Sequence, residues 1–158
     1  KRHRMLGGCM TCFGIGNLAV IPNGLDGKLY ARILREDLAE TFRGQKLNKG
    51  TFYFQQDNAP AHKSDVAIQT LRRLKIKRLE WPPYSCDLNP IEHLWAEFKR
   101  RWRMHNPNVE ELKDDEKFKK FVKKIADEIP QEFIDKLYES MPARIQAVIQ
   151  ANGGHTHF

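Results

Sequence analysis

The stretch Thr51–His62, "TFYFQQDNAPAH", and the pattern that follows it constrain the fold more than any other feature of the chain. Thr51, Phe52, Tyr53 and Phe54 have the β-branched and aromatic character of a strand, predicted over Thr51–Gln56. A helix is predicted over Ser64–Leu74, with Ala67, Thr70, Leu71 and Leu74 on its inner side, and "IKRLEW" returns as a short strand. Strand, helix and strand in so short a span imply a right-handed crossover and a pair of parallel strands. Upstream, Met5–Ile21 alternates short apolar stretches with Gly7, Gly8, Gly14 and Gly16, which predicts a hairpin turning at "GIGN". The expected class is α/β, with a mixed sheet flanked by helices: an antiparallel hairpin first, parallel strands later.

Helical spacing elsewhere fills in the rest. After the "PNGLDG" turn, Tyr30, Ile33, Leu34, Leu38 and Phe42 recur at the period of an amphipathic helix over Lys28–Phe42, with Gly44 as its stop. The segment "WPPYSCDLNP" is stiff, because Pro82, Pro83 and Pro90 fix φ and push the preceding residues out of helical geometry. A helix follows with Ile91, Leu94, Trp95, Phe98 and Trp102 as its apolar stripe. Further helices are expected over Val109–Ile129, over Gln131–Ser140 and from near Pro142. A chain of 158 residues without repeat or linker is the size of one domain, here residues 1–158.

Charge and cysteine usage narrow the setting. With 27 Lys and Arg against 20 Asp and Glu the net charge is +7, which favours an anionic partner such as nucleic acid; a soluble protein with a basic surface is the alternative. Cys9, Cys12 and Cys86 are an odd number, which suits a reducing compartment better than a disulfide framework. "CMTC" lies in a predicted strand, where positions three apart point to opposite faces, so packing explains it better than a metal. No apolar run is long enough to span a bilayer, and no membrane role is expected.

Two carboxylates could carry chemistry. Asp57 ends a predicted strand, where ligands gather in parallel α/β folds, although for a lone Asp an Asx turn is the better account. Glu92 has a local explanation too: with Asn89 as N-cap and Pro90 in the first helical position, it completes a capping-box-like pattern. Capping does not explain why "DNAPAH" and "DLNPIE" occur together with 34 residues between Asp57 and Glu92.

With that spacing, "QQDNAPAH", "LEWPPYSCDLNPIEHLW" and "SMPARIQAVIQANGGHT" resemble the catalytic domain of Tc/mariner DNA transposases, which use an Asp, Asp, Glu triad on an RNase H-like fold. The resemblance implies that Asp57 is the second catalytic aspartate and Glu92 the third acidic residue, both ligands of Mg²⁺ or Mn²⁺. It implies metal-dependent phosphodiester hydrolysis and strand transfer by the intact protein, on transposon ends and a TA target, by a homo-oligomer on DNA in the nucleus. The family's first aspartate lies on a central strand upstream of Gly8–Phe13. The expectation is therefore a partial, N-terminally truncated domain that lacks this strand, carries extra C-terminal helices, binds metal weakly, shows little activity alone and self-associates through its unpaired edges. Asp26 in a turn, and Asp37 and Asp65 in helices, are poor replacements, and Asp87 is expected to hold the proline-rich loop. His62 either approaches the scissile phosphate or orients Asp57, or else caps the following helix or packs beneath the loop. Asn58 and Asn89 are expected to support the site by shaping its turns, and His155 and His157 to lie in a mobile tail. Lys99, Arg100, Arg101 and Arg103 are either DNA phosphate contacts or a solvated helix face. The alternative function is a non-catalytic nucleic-acid-binding or assembly module derived from such an enzyme.

Overall fold

Two glycine-containing strands open the chain in the computed structural model, which describes residues 4–21, 24–48, 50–108 and 110–158. The expected turn residues Pro22 and Asn23 and the expected helix start at Val109 lie outside the described residues. Strands β1 (Met5–Thr11) and β2 (Gly14–Ile21) pair in a two-stranded sheet. The two residues between them, Cys12 and Phe13, permit only an antiparallel hairpin. The reversal thus comes before the expected "GIGN" turn, which lies inside β2. Phe13 N donates to Thr11 Oγ1 at 3.0 Å, and Gly14 leaves the turn at φ +122°, a region that favours glycine. Gly16 serves packing instead: a Cβ there would lie 2.6 Å from Cys9 Sγ and from Thr41 Cγ2 and Oγ1.

The chain divides into two compact units, Lys1–Cys9 with Gly16–Tyr84, and Met10–Ile15 with Ser85–Phe158. In the first, α1 (Gly27–Ile33) starts at Asp26, whose Oδ1 accepts from Leu29 N at 2.7 Å. It runs through a π-helical turn (Leu34–Leu38) into α2 (Ala39–Gly44). α3 (Asp65–Arg73) starts at Ser64, whose Oγ accepts from Ala67 N at 3.4 Å. Tyr30, Leu34, Leu38 and Phe42 bury their side chains with Ala61, Ala67, Leu71 and Ile76 in one cluster. Full burial of a large aliphatic or aromatic side chain is worth roughly 1.5–3 kcal/mol, so this cluster is the main stabilising term of the unit.

Strand β3 (Tyr53–Phe54) pairs in parallel with β4 (Lys77–Arg78), Tyr53 opposite Lys77 and Phe54 opposite Arg78, with α3 between them in sequence. The expected strand–helix–strand unit is present, with shorter strands than Thr51–Gln56 and "IKRLEW" suggested. Thr51 is held in a turn by its N–H to Asn48 O at 3.0 Å, and Gln56 spends its side chain on tertiary hydrogen bonds. Hairpin and parallel pair form separate two-stranded sheets among the described residues, so the mixed character of the fold is spread over two sheets.

The second unit is helical: α4 (Ile91–His105), α5 (Asp115–Asp127), α6 (Gln131–Glu139) and α7 (Met141–Gln150). The helix expected from Val109 begins at Asp115 because Asp114 caps it, Oδ1 accepting from Lys117 N at 2.8 Å; a 3₁₀ turn (Glu111–Lys113) precedes it. Leu94, Phe98, Phe118, Val122, Ile125 and Ile134 are buried. Trp102 packs against Phe118 and Phe121, ring centroids 5.8 and 4.8 Å apart, as a core residue. Gln131 Nε2 and Tyr138 Oη donate to Cys12 O and Met10 O at 2.9 and 3.2 Å, tying α6 to the hairpin tip. Among the described residues no helix is long and apolar enough to cross a membrane.

Candidate active-site residues

Asp57 lies three residues beyond β3, in a stretch without regular structure that leads into the turn before α3. Its Oδ1 accepts from Ala59 N at 3.0 Å and lies 2.6 Å from His62 Nδ1. The Asx turn and the histidine that orients the carboxylate are therefore both present, on the same oxygen. The Asp57 side chain is 59% exposed while His62 is 17% exposed, so the carboxylate faces solvent on a half-buried support.

That support was not singled out from the sequence. The His62 ring lies 4.1 Å from the Tyr30 ring, centroid to centroid. Tyr30 Oη donates to Gln56 Oε1 at 2.7 Å, and Gln56 Nε2 donates to His62 O at 3.2 Å. Burial pushes the Tyr30 phenol well above its ordinary range, and the charges of Asp57 and then Cys9 add to the shift. Asn58 Nδ2 donates to Trp81 O at 2.9 Å, linking this turn to the start of the proline-rich loop. The available signals were the glutamine pair Gln55 and Gln56 directly after an aromatic strand and a tyrosine in an otherwise apolar helical stripe. An exposed carboxylate held at one oxygen by two neighbours suits a hard divalent cation, which takes oxygen ligands and retains water.

In the second unit, Glu92 is exposed in the first turn of α4, where the helix dipole favours a carboxylate. The expected capping differs in detail. Pro90, at φ −66° and ψ −15°, takes the cap position without a side-chain bond, and Asn89 contributes its carbonyl, accepting from Glu92 N at 3.2 Å. Pro90 itself offers no side-chain acceptor to the first turn, so the loop before it contributes to fixing the helix start. Asp87 is 8% exposed and has donors at both carboxylate oxygens: Leu88 N to Oδ1 at 3.1 Å and Thr156 Oγ1 to Oδ2 at 3.0 Å. It holds the loop, as expected. Burial lowers the His93 pKa, and the charge of Arg144 adds to this.

On α4 the basic run is partly neutralised by its own helix. Arg100 Nε and Arg101 Nε reach Glu97 at 2.7 Å each, and these guanidinium groups, Arg100 foremost, hold the Glu97 carboxyl down at about 2. Lys99 and Arg103 are exposed. The "CMTC" cysteines are free thiols, Cys9 packed with its Sγ 3.6 Å from Thr41 Oγ1 and its pKa raised by burial. Among the described residues no group of three or more His, Cys, Asp or Glu side chains is arranged to hold a metal ion.

A family model described as DDE superfamily endonuclease matches residues 6–114. The transposable element Tc1 transposase of Caenorhabditis elegans is 38% identical over 154 residues, 98% of this chain and 54% of that protein. The transposable element Tcb1 transposase of Caenorhabditis briggsae is 36% identical over 155 residues, again 98% and 54%. The chain spans about half the length of these curated relatives. In fold it is similar to the Mos1 transposase catalytic domain solved with raltegravir and Mn, at a TM-score of 0.84 and 21% identity over 98% of this chain and 78% of that one. It is also similar to the Mos1 mariner paired end complex with Mn, at a TM-score of 0.82 and 20% identity over 98% of this chain and 45% of that one. The fold is thus the RNase H-like α/β fold of that catalytic domain, and the family match spans both Asp57 and Glu92. The chain belongs to the DDE superfamily endonucleases.

Proposed function

We propose that this chain is the part of a Tc1-type DNA transposase that carries Asp57 and Glu92, two of the carboxylates that serve phosphodiester hydrolysis and strand transfer in the whole protein. The observation that carries the reading is the Asp57 carboxylate, exposed to solvent while Ala59 N and His62 Nδ1 hold its Oδ1. Asp57 and Glu92 would hold Mg²⁺ or Mn²⁺, which when bound stabilises charge on the attacking and leaving oxygens of the phosphodiester. His62 holds the Asp57 carboxylate in one orientation, and Gln56 fixes the backbone of His62 beneath it. Exposed Lys99 and Arg103 contact DNA phosphates, with Arg100 and Arg101 contributing less because Glu97 already pairs with them. The partners are transposon ends and target DNA, the working form is a homo-oligomer, and the setting is the nucleus. The Mos1 paired end complexes solved with Mn and with Mg support this reading by analogy.

Titrating the chain with Mn²⁺ by calorimetry tests it. Asp57→Asn and Glu92→Gln are each expected to weaken Mn²⁺ binding by at least about tenfold, with the helical circular dichroism unchanged. Undiminished affinity in both variants overturns the reading.

A further inference from the structure

The residues Gly153–Phe158 follow α7 and carry a helix-breaking glycine pair, so their sequence suggests a solvated tail. Thr156 departs from that description. Its hydroxyl donates to Asp87 Oδ2 at 3.0 Å, on a carboxylate that is 8% exposed and lies 69 residues earlier in the chain. A second contact on the same loop comes from α7. Arg144 is 2% exposed, its Nη1 donates to the Asp87 carbonyl at 2.7 Å and its Nε to Ser140 Oγ at 2.8 Å, and the ring of Phe158 lies 4.8 Å from its guanidinium carbon. A buried guanidinium with this many partners is costly to keep unless the geometry it fixes is required.

What it fixes is the approach to Glu92. Around Asp87 successive backbone bonds brace the loop and the helix start: Asn89 N donates to Cys86 O at 2.9 Å, Glu92 N to Asn89 O at 3.2 Å and His93 N to Pro90 O at 3.2 Å. Pro90 supplies no side-chain cap, so α4 takes its starting orientation from the loop. We infer that Arg144 and Thr156 are positioning residues for Glu92, holding the Asp87–Pro90 loop from α7 and from the segment after it. Neither touches the Glu92 carboxylate. Their effect is exerted through the loop backbone, as supporting hydrogen bonds orient the ligands of metal sites.

This rests on Glu92 being a metal ligand, as proposed above, and the test separates the two statements. On the full chain, Thr156→Val removes the hydroxyl at nearly constant volume, Thr156→Ser keeps it, and Glu92→Gln reports on the ligand itself. The probes are Mn²⁺ affinity by calorimetry and hydrogen exchange at the Leu88 and Glu92 amides. Thr156→Val is expected to speed exchange at both amides about two- to tenfold, the loss of one ordinary hydrogen bond, and to weaken Mn²⁺ binding by roughly tenfold. Thr156→Ser should restore both. Arg144→Lys, which keeps the charge but loses the planar fork, should repeat the Thr156→Val pattern even if one variant folds poorly. If Glu92→Gln lowers Mn²⁺ affinity while Thr156→Val does not, the inference is wrong and the ligand assignment stands. Equal losses in Thr156→Val and Thr156→Ser also overturn it, since packing would then explain both. If Glu92→Gln leaves affinity intact, the ligand assignment fails first and the inference with it.

Discussion

Replacing Tyr30 by phenylalanine keeps a ring beside His62 and removes only the hydroxyl that donates to Gln56 Oε1 at 2.7 Å. Gln56 is 8% exposed, so its carbonyl is left buried without that donor while its amide stays committed to His62 O. Stranding a buried acceptor costs about 1–3 kcal/mol, and we take ~1.5 kcal/mol for one uncharged group. Urea unfolding at pH 7 should show that loss. The pH profile separates this account from a generic packing defect. The Tyr30 phenol is raised above its ordinary value by burial first and by Asp57 second. A group raised in the folded state contributes stability that is complete below its unfolded value, near 10, and is lost as the pH climbs above it. The wild type should therefore lose up to about 1.4 kcal/mol per pH unit beyond pH 10 that Tyr30→Phe does not lose. The ~1.5 kcal/mol gap should close near pH 11, with all other titrations common to both proteins. A gap that stays constant from pH 9 to 11, or a variant as stable as the wild type at pH 7, would refute the reasoning.

Two further substitutions probe the packing and the charges around the site. Gly16→Ala places a Cβ 2.6 Å from Thr41, whose Oγ1 is held by Asn17 N at 2.8 Å and donates to Asp37 O at 2.9 Å. It should cost about 1–3 kcal/mol in urea unfolding, whereas Gly44→Ala, with nothing within 4 Å, should be neutral or slightly stabilising. Glu97 is depressed from 4.5 to about 2 by Arg100 and Arg101. Its contribution is thus present above the unfolded value and lost as the pH falls from 4.5 towards 2. Urea midpoints between pH 2 and 6 should show Glu97→Gln destabilised by no more than ~1 kcal/mol at pH 6 and close to the wild type at pH 2, because the pairs lie within one helix turn and Arg100, the foremost partner, is 56% exposed to screening solvent.

Much of the helical part of the fold was legible because its signals are local. Ser64 before an amphipathic run marks the start of α3, and the Leu94, Phe98 and Trp102 stripe marks α4. The start of α5 was legible in principle, since Asp114 followed by Asp115 and Glu116 is a capping pattern that outweighs the periodicity before it. The hairpin turn was not, because glycines in one run serve different ends: Gly14 supplies a positive φ, while Gly16 yields space to Thr41, 25 positions away. Strand lengths failed for the same reason. Gln56 reads as the end of a strand, yet its side chain answers Tyr30 and His62. Asp57 and Glu92 stand out through motif and spacing. The residues that hold their surroundings, Tyr30, Gln56, Arg144 and Thr156, do not, since each acts across 26 or more positions or through a backbone atom.

The π-helical turn between α1 and α2 has a geometric effect on the same surroundings. Tyr30, Leu34, Leu38 and Phe42 repeat every four residues, whereas an α-helix returns to a face every 3.6. Each such step drifts by about 40°, so three steps would carry Phe42 roughly 120° around the axis from Tyr30. The wider turn at Leu34–Leu38 takes back much of that rotation and keeps all four side chains in one core. A helix of ideal pitch bearing these residues would set Tyr30 and Phe42 at opposite margins of the buried face. The surroundings of an exposed carboxylate are thus linked, through His62 and Tyr30, to a widened turn further along the neighbouring helix.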